Sequence, residues 1–287
     1  MSNVVIRPDE INRILKSNLA VVLRRANLAL QGVERGDVSD LGTVPGTWFR
    51  FNFGALDDEM TGKVRADAET WVLGASFHTL LVVIGLALDR AQDSCALAIL
   101  GKKGPATPAD IQDHLKAHRK FANLNFPDKI ARLKKDYGAE IIPAFNPEIE
   151  SYRRVRNCLE HDHGVVTDEK YLTDGALELR WRFMEIQGVS QTGEITRLLP
   201  EPGKSGALPG GGVAFGPGVI QVRPSVPQVR RFPKDTSIAI TRQEFAEICF
   251  TTQVWGDQLA VAVQEFVRRI GLPTHKEGGP DAPSETK

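Results

Sequence analysis

The densest set of side chains able to do chemistry lies between Glu148 and Val166, EIESYRRVRNCLEHDHGVV, which holds Arg153, Arg154, Arg156, Asn157, Glu160, His161, Asp162 and His163. Imidazole moves protons near neutral pH. A guanidinium carries permanent charge and grips phosphate with two parallel hydrogen bonds. Together these groups suit phosphodiester cleavage without a metal. That reaction needs a base for the 2′-hydroxyl, an acid for the leaving oxygen and positive charge on the phosphorane.

These residues need an element to carry them. Ile149, Tyr152, Val155 and Leu159, with Cys158 beside the last, recur at offsets that make one helical face. Pro147 fits a first helical turn, with Asn146 as N-cap, and Gly164 fits a helix stop. The spacing therefore predicts a helix over 146–163 with His161 in its last turn, where the dipole favours a protonated imidazole. On an ideal helix Asn157 and His161 share a face, whereas Arg156 and His161 lie roughly 140° apart. A symmetric dimer that apposes two such helix ends would bring an arginine and a histidine together.

Arg156, Asn157 and His161 form an Arg-Asn-x-x-x-His sequence near a helix end. It resembles the arginine–histidine motif of the HEPN family (higher eukaryotes and prokaryotes nucleotide-binding domains), many of whose members are metal-independent ribonucleases. The resemblance covers the motif and the helices around it. It implies an all-α bundle and a composite site in a homodimer, with no cofactor and no metal. Arg156 would bind phosphate, His161 would serve as acid or base, and Asn157 would orient His161 or the substrate; Arg153 and His163 would help bind substrate. The products would carry 2′,3′-cyclic phosphate ends, and the implied partners are RNA and an antitoxin or defence-complex subunit.

The chain has 287 residues, 41% hydrophobic and 25% charged, as in ordinary globular proteins. Lys+Arg and Asp+Glu are both 36, so a general nucleic-acid scaffold is disfavoured and any RNA contact must be local. Three scattered cysteines, Cys95, Cys158 and Cys249, give neither a disulfide framework nor a metal knuckle and suit a cytoplasmic location. The N-terminus has no signal-peptide pattern. Trp71 to Leu88 carries no Asp, Glu, Lys or Arg. Gly74, Ser76, His78, Thr79 and Gly85 interrupt it, which favours a core helix buried on all sides over a membrane span.

In chain order, a helix is predicted over Asp9–Leu30, ended by Gly32, and a long one over Ala66–Leu100. Between them Trp48–Phe53 alternates like a short strand whose aromatics either cover the bundle or stack on bases. Thr107 and Pro108 start a helix carrying His114 and His118, four apart, read as a solvated basic face rather than a metal pair. Asp128–Tyr137 is a short basic helix stopped by Gly138. Positions 116–156 form the basic part of the chain. Ala176–Ile186 reads as a strand that hairpins with Gly193–Leu198; Val219–Val222 and Thr236–Ile240 are further strand candidates, and 201–218 is a Gly/Pro-rich loop. Thr241 and Glu244 form a capping box ahead of the last helix, which Gly271 and Pro273 stop.

The expected fold is mainly α: a HEPN-like up-and-down helical bundle over 1–270, interrupted at 165–240 by a β-rich insertion before the C-terminal helix, with 271–287 a disordered tail. The expected function is metal-independent endoribonuclease activity in a toxin or antiviral-defence context, away from membranes. Two other readings remain open. One is a non-catalytic helical interaction subunit, in which Arg156 and Glu160 only decorate the helix. The other is an HD-type metal phosphohydrolase built on His161-Asp162 with His78, His114 or His118.

Overall fold

The structure, a computed structural model, describes residues 7–36, 57–162, 164–197 and 218–272. It is mainly α-helical, with a small β portion before the C-terminal helix. The elements are α1 (Asp9–Arg35), α2 (Asp58–Lys102), α3 (Pro108–Ala122), α4 (Phe126–Tyr137), α5 (Asn146–His161), β1 (Ala176–Ser190), β2 (Ile195–Arg197), β3 (Gly218–Pro233) and α6 (Arg242–Arg269). Trp48–Phe53, the loop over 201–217 and the tail from 273 lie outside the described residues.

Helix starts follow local chemistry. Thr107 accepts from the Asp110 N–H at 3.2 Å, and the Asp110 carboxylate accepts from the Thr107 N–H at 3.0 Å. The Thr107 hydroxyl, which donates to the same carboxylate at 2.6 Å, and then the Thr107 N–H hold the Asp110 carboxyl below the usual carboxylate range. Thr241 and Glu244 repeat the box at the start of α6, at 2.8 and 3.2 Å. The helix boundaries that differ most from the sequence expectation are the end of α1 and the start of α2. α1 runs through Gly32 to Arg35, because one interior glycine costs only about 1 kcal/mol. α2 begins at Asp58 rather than Ala66, with the Asp57 carboxylate accepting from the Met60 N–H at 2.7 Å.

α2 is not buried on all sides. Its core stripe is Leu73, Phe77, Leu80, Ile84, Ala87, Leu88, Ala91, Cys95 and Ala98, while Trp71, Val82 and Leu86 are exposed. Its most apolar window has a mean hydropathy of 2.0 and is 44% buried; by length and composition alone it could cross a membrane.

The chain divides into two compact units, to both of which α1, α2 and α6 contribute. The first takes in α1 up to Asn18, α2 from Val82, α3, α4 and α6 from Thr252. There Tyr137 and Phe266 meet edge to face with ring centres 5.3 Å apart. Lys129 of α4 is buried and reaches Asp89 of α2 at 2.6 Å. His114 and His118 are not a solvated face: both rings turn to Asp93 of α2, at 3.4 and 2.8 Å from one carboxylate oxygen. Arg132 and Arg269 are likewise paired, with Asp136 and Glu140.

The second unit takes in α1 from Leu19, α2 up to Leu81, α5 from Pro147, the strands, and α6 up to Thr251. Its three-stranded antiparallel sheet has the order β2-β1-β3. The predicted hairpin forms with Gln187 opposite Arg197 and Val189 opposite Ile195, so Gly188–Ser190 belong to the strand rather than the turn. β3 is far longer than Val219–Val222, and Thr236–Ile240 forms only an isolated bridge, Ser237 to Val165. β3 contains Pro224, Pro227 and Pro233, and the last two are accommodated because it is an edge strand. Arg182 turns its N–H and carbonyl away from β3, to Thr251 of α6. Its cross-strand partner Pro227 therefore faces outward too, where no ladder bond is lost, and Pro233, six residues on in the same register, does the same.

Leu177, Leu179 and Trp181 of β1 are buried at alternate positions. The Trp181 indole donates to Glu247 of α6 at 2.7 Å. The open edge of β1 is closed by hydroxyls: the Arg180 N–H donates to Ser151 of α5 at 2.9 Å, and the Arg182 N–H donates to Thr251 at 3.0 Å. Arg182 also reaches the buried Glu148 of α5 at 2.7 Å.

The Lys129–Asp89 pair makes a stability prediction. Asp89→Leu strands a buried ammonium and lowers unfolding free energy by about 3 kcal/mol, while Asp89→Leu combined with Lys129→Met recovers most of that loss. Urea unfolding of the three chains measures both changes.

Candidate active site

α5 buries Ile149, Tyr152, Val155 and Cys158, a strict three-residue spacing. Cys158 rather than Leu159 thus continues the core face. The helix ends at Gly164, whose φ of 77° suits glycine and whose N–H donates to the Cys158 carbonyl at 3.1 Å. The Gly164 carbonyl accepts from the Ile238 N–H at 2.7 Å, tying the helix end to the segment before α6. Asn146 falls inside the first turn rather than capping it.

Packing of α5 on α2 sets what meets the motif. The Phe77 and Tyr152 rings pack edge to face with centres 5.7 Å apart. His78 follows Phe77, and Arg156 lies one turn beyond Tyr152, so these two polar side chains meet beside the ring pair. Glu160 joins them. Its carboxylate contacts His78 Nδ1 with one oxygen, and Arg156 Nη2 sits 2.6 Å from the other. Arg156 Nη1 donates to Asn157 Oδ1 at 3.1 Å, and Arg156 Nε lies 3.4 Å from His78 Nδ1. Nδ1 cannot donate to the carboxylate and accept from the guanidinium at once, and the closer, charge-assisted carboxylate contact takes its hydrogen.

Arg156 and Asn157 are therefore brought together, half-buried. His161 is exposed at the helix end and has no hydrogen-bond partner among the described residues. It does not join Arg156. Arg153 is held by Glu150 at 2.6 Å and Arg154 by Thr173 at 3.2 Å. His163 lies outside the described residues. The basic stretch 116–156 is divided between the two units, and many of its charges are paired within them. Sequence reasoning missed His78 as a companion of Arg156. Its signal was a lone imidazole inside the charge-free run of α2.

No group of three or more His, Cys, Asp or Glu side chains is placed to hold a metal among the described residues, the Asp93 cluster included. Cys158 is no nucleophile: burial, then the carboxylates of Asp162 and Asp168, push its thiol up to about 11. Protein-family models, curated proteins and solved structures were compared with the chain, and none matches.

Burial also raises the Cys95 and Cys249 thiols to about 12. A raised pKa keeps each thiol protonated below that value, so at pH 8 iodoacetamide should leave all three cysteines of the folded chain unlabelled. In urea all three should react, as mass spectrometry of the intact chain would record.

Proposed function

We propose that this chain is a metal-independent endoribonuclease of the HEPN type. The observation that carries the reading is the pairing of Arg156 with Asn157 on the surface of α5, with His161 exposed where that helix ends and without a side-chain partner among the described residues. Arg156 binds the scissile phosphate and stabilises the phosphorane. Asn157 orients the guanidinium. His161 is the acid–base imidazole at the exposed end, with Arg153 and His163 as helpers in substrate binding. Attack of the 2′-oxygen on phosphorus forms the 2′,3′-cyclic phosphate and releases a 5′-hydroxyl.

Arg156 and His161 are five apart on one continuous helix, so they diverge by about 140°. A second copy of the chain apposing its own α5 end resolves this, which makes a homodimer part of the proposal. The family resemblance supplies the remaining context, a cytoplasmic toxin or antiviral-defence nuclease controlled by a partner protein.

A second reading rests on a different observation. Val82 and Leu86 are exposed one helical turn apart on α2. A helical interaction subunit would use such a surface and need no substrate at Arg156.

Cleavage of single-stranded RNA in EDTA separates the two. Wild type should cleave and leave cyclic phosphate ends, and Arg156→Ala and His161→Ala should each lose at least about 100-fold in kcat/KM. An inactive wild type leaves the interaction subunit as the reading.

A further inference from the structure

The ribonuclease reading names one imidazole and needs two proton-transfer groups. His161 cannot serve Arg156 from its own helix. The structure places another imidazole against Arg156, from a different helix and 78 positions earlier in the chain. We infer that His78 is the general base of this site, its Nδ1 edge held by Glu160 beside the phosphate-binding Arg156. The inference rests on the ribonuclease reading and adds to it a residue that the motif does not contain.

Three features support the role. First, Glu160 engages Nδ1, so the ring hydrogen sits there and Nε2 is left with a free lone pair. A carboxylate that fixes the tautomer and orientation of a basic imidazole is the arrangement of hydrolytic triads. Second, the same carboxylate grips Arg156 Nη2 with its other oxygen, at 2.6 Å. One side chain thus fixes both the phosphate-binding cation and the base, and fixes them relative to each other. Third, the His78 side chain keeps 44% of its surface exposed, although α2 is otherwise buried at the neighbouring Phe77. A substrate can reach it, and no described residue hydrogen-bonds to Nε2.

The step balances as follows. His78 Nε2 takes the proton of the 2′-hydroxyl as the O2′–P bond forms. The P–O5′ bond breaks, and the leaving O5′ takes a proton from the His161 imidazolium. Base and acid exchange protonation states, and solvent resets them. On this account the base comes from the same copy as Arg156, and a second copy is needed only for the acid.

The test uses the full-length chain, a fluorescent single-stranded oligoribonucleotide and EDTA. His78→Asn keeps an N–H donor for Glu160 but offers no base. It should lower kcat by about 100-fold and leave KM within about twofold. Glu160→Gln keeps an acceptor for Nδ1–H without the charge, and should lower kcat more than it changes KM. His78→Ala opens a space for a diffusible base, so added imidazole should restore much of its cleavage while doing nothing for Arg156→Ala. His78→Asn cleaving within threefold of wild type, beside an inactive Arg156→Ala, overturns the role of His78 and leaves the ribonuclease reading standing. A loss in His78→Ala that imidazole does not restore, with KM raised, also overturns it by marking a structural role. A wild type without cleavage removes both the ribonuclease reading and this inference.

Discussion

The open edge of β1 is the constraint that organises the second unit. Over Arg180–Arg182 the strand pairs with β3 on one side only, which leaves main-chain groups to be satisfied on the other. A buried N–H without a partner costs about 1–3 kcal/mol, so the edge cannot simply be covered by apolar side chains. Ser151 of α5 and Thr251 of α6 supply hydroxyls at the required positions, and Glu148 and Glu247 add charged or buried bonds to Arg182 and Trp181. A hydroxyl donates and accepts at once, so Thr251 serves both the N–H and the carbonyl of Arg182.

Fixing α5 by Ser151 also fixes its rotation. With Ile149, Tyr152, Val155 and Cys158 turned inward, Arg156, Asn157 and Glu160 have only the outer side of the helix available. There the Phe77–Tyr152 contact brings His78 within reach. The charged cluster is therefore a by-product of core packing in its placement, and a matter of chemistry in its composition.

Local signals in the sequence translated directly into structure. The Thr241–Glu244 capping box forms, Thr107 caps α3, Gly164 and Gly271 adopt positive φ, and the helix carrying Arg156 and His161 runs nearly as its pattern predicts. The failures have a common cause. Whether Gly32 ends a helix, whether a strand stops at Val222 and whether His114 is solvated all depend on what lies opposite, and that is fixed by distant parts of the chain. The motif residues were legible because they are neighbours along one helix. His78 was not, because nothing local relates position 78 to position 156. The exposed side of α2 was missed for a similar reason: a run without charges reads as uniformly apolar, and periodicity cannot say which part of it finds a partner.

The prolines of β3 bear on the behaviour of the chain in a crowded solution. A strand of 16 residues paired on one side is a template on which another extended segment can nucleate. Among the outward-turned positions 227, 229, 231 and 233, two are prolines without an N–H to offer, and Arg231 adds a charge. An incoming strand would find no donor at 227 or 233, with only those of Val229 and Arg231 between them. The prolines on this edge thus leave an added strand fewer donors than 16 residues would otherwise offer.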